Sequence, residues 1–448
     1  ISPHVVTRMI NADEAVLVQA SLGSGIDSYS VVTTNASTTN PYAMLIETAG
    51  ANILIGVVDS GTAALDYGIH NAGSIFSFGY VNGTPATAIG MVGNGGDTVN
   101  VLGMNNTGTI QAAATDDSAT GIFVGSDATL GDGTHTGIQN GLGAFLGALV
   151  TSDNNVGVAT AILVGANGSI TDINNQGSIR ASSSGTVGGD AFGIDIDAAG
   201  SLPSITNASS GGITAVTTTA GVNATAIRDQ SGTLTQITNI GLIGASATST
   251  GRAIALDLTG GVGAVIDNSG TITGEVLFTG GDYTINSTAG NIISAFTTNG
   301  SAVNIFMTGT GVLNASSTLL GGGTLNLDMA SGTQFRGTAD DFQVSDVTFH
   351  TGSTFSVTYD PLSVAVPGVL AADNATFENG STVNVNLTNY LGATPQTLTL
   401  VTTTSSLNFL VPGDPSGLII GGIGAGYVAS LATANAGADL EINLTRKT

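Results

Sequence analysis

Short apolar runs of four to six residues, alternating with polar partners, recur along the first two-thirds of the chain. Each run is closed by Gly, Asn or Asp. One period reads Ala161-Ile162-Leu163-Val164, then Gly168 to Ile173, then Gly177-Ser178-Ile179-Arg180. Strict alternation predicts strands with one buried and one wet face. The stretch Ile254 to Gly274 carries three such runs and ends on Asn268-Ser269-Gly270-Thr271-Ile272, a turn leading into a strand.

That turn is a phase marker. Asn-x-Gly-x-Ile and its variants begin at Asn71, Asn106, Asn140 (degenerate, Asn140-Gly141-Leu142), Asn175, Asn207 (with an insertion before Ile213), Asn239 and Asn268. Subtraction gives steps of 35, 34, 35, 32, 32 and 29. A second marker, a small residue followed by Ile, falls at Ile89, Ile122, Ile162, Ile194, Ile227 and Ile254, with steps of 33, 40, 32, 33 and 27. Two markers advancing together identify a repeat architecture. Three strands per period with uneven loops predict an all-β, right-handed parallel β-helix. The pairs Asn71/Gly73, Asn106/Gly108, Asn175/Gly177, Asn239/Gly241 and Asn268/Gly270 are placed at its corners, where φ > 0 is often needed. Stacked Asn side chains there are expected to hydrogen-bond in a structural ladder.

The pattern divides the chain. Residues 1–50 read as an N-terminal cap or first irregular coils, with Asn35, about one period before Asn71, as a candidate early corner. Residues 51–335 carry the β-helix repeats, which shorten after 276. Residues 336–448 read as a β-rich cap. There the marker vanishes, five of nine prolines gather (Pro361, Pro367, Pro395, Pro412, Pro415) and Phe becomes dense, with Phe342, Phe349, Phe355, Phe377 and Phe409 able to plug a solenoid end.

Composition narrows the function. The 448 residues are 42% hydrophobic, enough for a core rather than disorder, and a solenoid lengthens without adding domains. Net charge is −24 and Lys447 is the single lysine, so no basic stripe exists to neutralise nucleic-acid phosphates. Such a surface suits divalent cations as bridges. Zero cysteine fits an exported bacterial chain, and Ile1 reads as a mature or trimmed start. No apolar run approaches the ~20 residues of a membrane-spanning helix.

No catalytic set assembles from the sequence. Gly56 to Thr62 contains Asp59-Ser60-Gly61, which resembles a protease Asp-Ser-Gly, and Asp132-Gly133-Thr134-His135 resembles part of a histidine motif. The nucleophile motif and a second aspartic motif are both absent. Carboxylates read as scattered, and Arg180, Arg228, Arg252 and Arg336 as isolated, which argues against sugar-cleaving pairs. His4, His70, His135 and His350 lack metal-ligand spacing. Gly93 to Val99 resembles half of a calcium-binding nonapeptide. Asp97, Asp116 and Asp117 are therefore the candidate Ca²⁺ ligands, with Asp340-Asp341 another oxygen-rich point. No other cofactor is expected.

One more likeness comes from the C-terminal third. Gly352 to Asp360, Ala375 to Val385, Gln396 to Thr402 and Ala438 to Lys447 together resemble the end of bacterial autotransporter (type V secretion) passengers, where an autochaperone-like segment precedes a linker helix and an outer-membrane barrel. The resemblance is close over this C-terminal segment and extends to the repeats only in style. It implies display at the outer-membrane surface of, or release from, a Gram-negative bacterium, with membrane contact only through a barrel absent from this sequence. The expected function is a non-catalytic cell-surface protein acting in adhesion or self-assembly, such as a surface layer, fibre or biofilm contact. Its partners would be copies of itself or other surface components. A polysaccharide-binding or polysaccharide-degrading β-helix is the alternative.

Overall fold

The computed structural model describes residues 14–23, 25–28, 32–36, 42–56, 67–80, 83–248, 250–337, 342–362, 370–389, 394–410 and 413–447. Apart from two short 3₁₀ turns, Pro415–Gly417 and Asn435–Gly437, every described element is a β-strand. Strands one winding apart pair in parallel, as the sequence predicts for a β-helix. Two compact units are distinguished: residues 1–264 with 273–275, and residues 265–272 with 276–448.

In the first unit a winding runs through Met104–Asn106, Thr109–Thr115 and Ala119–Val124, then a shorter fourth piece, Ala128–Leu130. The next winding repeats this as Ile138–Asn140, Phe145–Thr151, Ala159–Val164 and Ser169–Ile170. Alternation puts every second side chain inside, and like stacks on like. Ile26, Ile69, Met104, Ile138, Ile173, Ile205 and Ile237 form one column. A second column runs through Ile75, Ile110, Leu146, Ile179, Ile213 and Ile243. These side chains are essentially inaccessible, and each contributes about 1.5–3 kcal/mol of burial.

Register corrects the sequence reading in three places. The marker column Ile89, Ile122, Ile162, Ile194, Ile227 continues to Leu256, whereas Ile254 stacks on Thr225. Both Ile254 and Leu256 lie on one side of an alternating strand, so composition cannot choose between them. Asn35 is in backbone register with Phe78, and the corner column below Asn71 is occupied by Ser28. Glu14–Val18, Ile26–Ser28, Val32–Ala36 and Tyr42–Glu47 thus already supply parallel strands of the stack, with Glu14–Val18 on Tyr42–Glu47. Leu142 is not the apolar anchor of its coil: Leu146 takes that place and Leu142 is 75% exposed.

The second unit winds with two strands per turn. Asp282–Thr288, Ala302–Thr308 and Thr324–Met329 stack on one side, with steps of 20 and 22. Asn291–Thr297, Val312–Leu319, Gln334–Gly337 and Thr354–Tyr359 stack on the other, with steps of 21, 22 and 20. A two-strand turn is a flattened sandwich about 10 Å thick, and phenyl rings bridge it. Phe296, Phe335, Phe342, Phe349, Phe355, Phe377 and Phe409 form a continuous run of ring contacts between 4.8 and 6.3 Å. Of the rings predicted as an end plug, Phe342, Phe349, Phe355 and Phe377 are therefore core of these coils, and Phe409 is half-buried at the end of the run. Parallel stacking passes residue 336 without a break and reaches Gln396–Asn408 and Ile419–Gly421. An antiparallel pair, Tyr427–Ala434 with Asp439–Arg446, then closes the series against Gln396–Asn408.

Candidate functional site

The corner asparagines are built into the backbone. Asn71 Nδ2 donates to Asn106 Oδ1, and the same 2.8 Å bond repeats from Asn106 to Asn140, Asn140 to Asn175, Asn175 to Asn207 and Asn207 to Asn239. Each of these amides also donates to the carbonyl that opens the next coil's strand, such as Thr109 O or Phe145 O. The Oδ1 of Asn71 and of Asn106 accepts the amide N–H of Gly73 and of Gly108 at 3.3 Å. All six residues are buried. In the second unit, Asn268 donates to Ser287 Oγ. These groups are spent on one another and present nothing to a ligand.

The glycines of the motif serve a different purpose from the one the sequence suggests. Gly108, Gly177 and Gly241 do not adopt positive φ. A Cβ on Gly108 would strike Gly73 O, one on Gly177 would strike Ala144 O and Gly141 O, and one on Gly241 would strike Gly211 O and Ala208 O. Close approach of successive backbones, not left-handed geometry, requires glycine here.

The three Ca²⁺ candidates do not form a site. Asp116 is buried and closes a loop: its carboxylate accepts from Asp153 N at 2.6 Å, Asn154 N at 2.8 Å and Asn154 Nδ2 at 2.9 Å. Asn154's side-chain and backbone bonds hold its pKa below the usual carboxylate value. Asp117 accepts the N–H of Ser118, and Asp97 lies in a tight turn closed on Asn94 O. Among the described residues no group of three or more His, Asp or Glu is placed to hold a metal. Asp340, Asp341 and the Asp59-Ser60-Gly61 stretch lie outside the described residues. Asp132 binds its own neighbour His135, Oδ2 to Nδ1 at 3.0 Å, in a surface turn.

Three of the four arginines named above, and two more of the histidines, have partners. Arg228 grips Asp195 with Nε and Nη2, both at 2.6 Å, and its guanidinium lies 3.9 Å from the centre of the Phe192 ring. The two residues are neighbours in one outward column, Leu163, Asp195, Arg228, Asp257, so one winding separates them. Burial pushes the Asp197 carboxyl above its ordinary value, and the nearby Asp195 charge adds to the shift. Arg252 pairs with Glu275, and Arg336 donates to Gln334. His70 Nδ1 meets Asp27 at 3.1 Å, and His350 lies between Asp328 and Glu378, 2.9 Å from each. Except for Arg336 and Gln334, which share a strand, sequence spacing hid these pairs because partners 22 to 43 residues apart become neighbours only once the winding register is known.

Two outward features remain. Phe76, Phe78 and Tyr80 form a row of near-parallel rings at 5.7 and 5.3 Å along strand Ser74–Gly79 and just beyond it, and Tyr80 is 59% exposed. A 580 Å³ notch is floored by Gln176, Gly177 and Ser178 and walled by Leu142 to Phe145 and by Ser210 to Gly212. Its walls are the two corners with a longer path from the asparagine to the buried anchor, Asn140 to Leu146 and Asn207 to Ile213. No protein-family model matches this chain, and a search of curated proteins found no match. No described helix is long and apolar enough to cross a membrane, which says nothing of a β-barrel.

Proposed function

We propose that this chain is a non-catalytic protein of a Gram-negative bacterial surface, autotransporter passenger-like, whose coils act in adhesion or self-assembly. One observation carries the reading: the corner asparagines and the buried ion pair are consumed by their neighbours one winding away, as in the asparagine ladder and the Arg228–Asp195 pair. The outward surface meanwhile keeps large apolar side chains available for contact. Leu142, Val156, Val262 and Leu319 are between 65% and 75% exposed.

Sedimentation of the purified protein with and without millimolar Ca²⁺, together with binding to cells and abiotic surfaces, tests this. Concentration-dependent association or surface binding is expected. A monomer that binds nothing under either condition overturns it.

A second reading, binding of a polysaccharide, draws on the Phe76, Phe78 and Tyr80 ring row, since sugar rings stack on aromatic faces. Affinity electrophoresis in neutral polysaccharides should then show retardation that Tyr80→Ala abolishes. Equal mobility of both proteins removes this reading.

A further inference from the structure

His350 sits just after strand Phe342–Phe349, at a corner of the second unit. Its Nε2 is 2.9 Å from Asp328 Oδ1, on strand Thr324–Met329 of the preceding winding, and its Nδ1 is 2.9 Å from Glu378 Oε1, just after strand Leu370–Phe377 of the following one. One ring therefore ties three consecutive windings. A neutral imidazole has a single N–H, whereas this geometry asks both nitrogens to donate to carboxylates, which only the imidazolium can do. We infer that His350 is a proton-dependent staple, closed while its ring is charged and open once it is not.

The surroundings make the proton matter. Glu378 Oε2 is occupied by the N–H of Thr351 at 3.0 Å, so this carboxylate is held to face the ring. The backbones are also fixed: His350 N donates to Met329 O, and Glu378 N donates to Phe349 O. Directly inside, Phe349 and Phe377 stack at 4.8 Å. No other charge faces the staple from the neighbouring described strands: Ala302–Thr308 contributes Phe306 in the column of Asp328, and Gln396–Asn408 contributes Asn408 in the column of Thr376. The nearest carboxylate on His350's own strand, Asp346, is bonded to Asn374.

The sign follows from the two partners. The Glu378 hydrogen bond, with Asp328 adding and burial opposing, raises the His350 pKa. Its contribution is complete below the unfolded value of about 6.5 and fades as pH climbs through the folded value. The Thr351 N–H, then His350, lowers the pKa of Glu378, so that contribution is complete above about 4.5 and fades on acidification. The staple is tightest in mildly acidic medium, between those two limits.

The test is an NMR titration of the histidine rings in the full chain from pH 4.5 to 9.5, alongside urea unfolding of wild type, His350→Gln, Glu378→Gln and Asp328→Asn. His350 should keep its proton above the free-peptide value, and both carboxylate variants should bring it down, Glu378→Gln the more. The wild-type unfolding constant should rise by roughly two- to five-fold more than that of His350→Gln between pH 6 and pH 9, the size expected of a half-exposed ion pair. A ring that titrates at or below the peptide value overturns the inference even if a variant fails to fold. So does an unchanged pH dependence in His350→Gln.

Discussion

At the residue scale, the windings of the asparagine ladder depend on two kinds of position that are costly to substitute. Asn140→Ala would leave Asn106 Nδ2 without its 2.8 Å acceptor and Asn175 Oδ1 without its donor, both in a dry interior. A cost of about 1–3 kcal/mol is expected for each orphaned group, readable as a lower urea midpoint with an unchanged slope. Gly108→Ala should cost about 1–3 kcal/mol because its methyl meets a backbone carbonyl that cannot swing away. Gly212→Ala is the control: nothing lies within 4 Å of the added carbon, so that change should be neutral or slightly stabilising. The asparagines were legible in the sequence because the motif marks the turn. The reason for the glycines was not, since positive φ and close backbone approach leave the same letter.

At the element scale, the parallel pairing sets which side chains meet, and pairs of charges show it best. Asp195 is 3% exposed, and Arg228 alone neutralises it bidentately while stacking on Phe192. Arg228→Ala should destabilise the first unit by about 3 kcal/mol, the low end for a broken buried pair, because the guanidinium side is 24% exposed. The double variant Arg228→Met with Asp195→Leu should recover most of that loss, and calorimetry of the single and double variants decides it. The terminal strand Tyr427–Ala434 pairs, among the described residues, with Asp439–Arg446 alone. It carries no charge and no proline, the devices that normally guard a sheet edge. If the chain self-associates through this edge, Val428→Lys, at a position 52% exposed, should weaken association in sedimentation without lowering the unfolding midpoint. Strand existence and direction followed from alternation and period. Strand number per turn in the second unit did not, because a short step with two strands and a longer step with three give the same alternation locally.

At the scale of the whole chain, charge is the dominant property. Thirty-one carboxylates face seven basic side chains, for a net −24. Self-repulsion of this kind is screened by salt, so the thermal midpoint should rise between 0.01 M and 1 M NaCl, as the screening length falls from about 30 Å to about 3 Å. A falling midpoint would count against it. The sequence placed its change of character near 336, where Pro and Phe accumulate. The shortening of the repeats, read from the sequence after 276, falls beside the boundary between the two units near 265–275, whereas parallel stacking runs past 336 unchanged. The asparagine ladder has one more implication. Its five bonds all point from the lower-numbered residue to the higher, so a half-wound stack has two unlike fronts. A front advancing toward the C-terminus ends on a bare amide donor. One advancing toward the N-terminus ends on an oxygen that, at Asn71 and Asn106, already holds its own glycine. Assembly of the stack therefore carries an intrinsic arrow, with the second direction leaving less unmet bonding at those two corners.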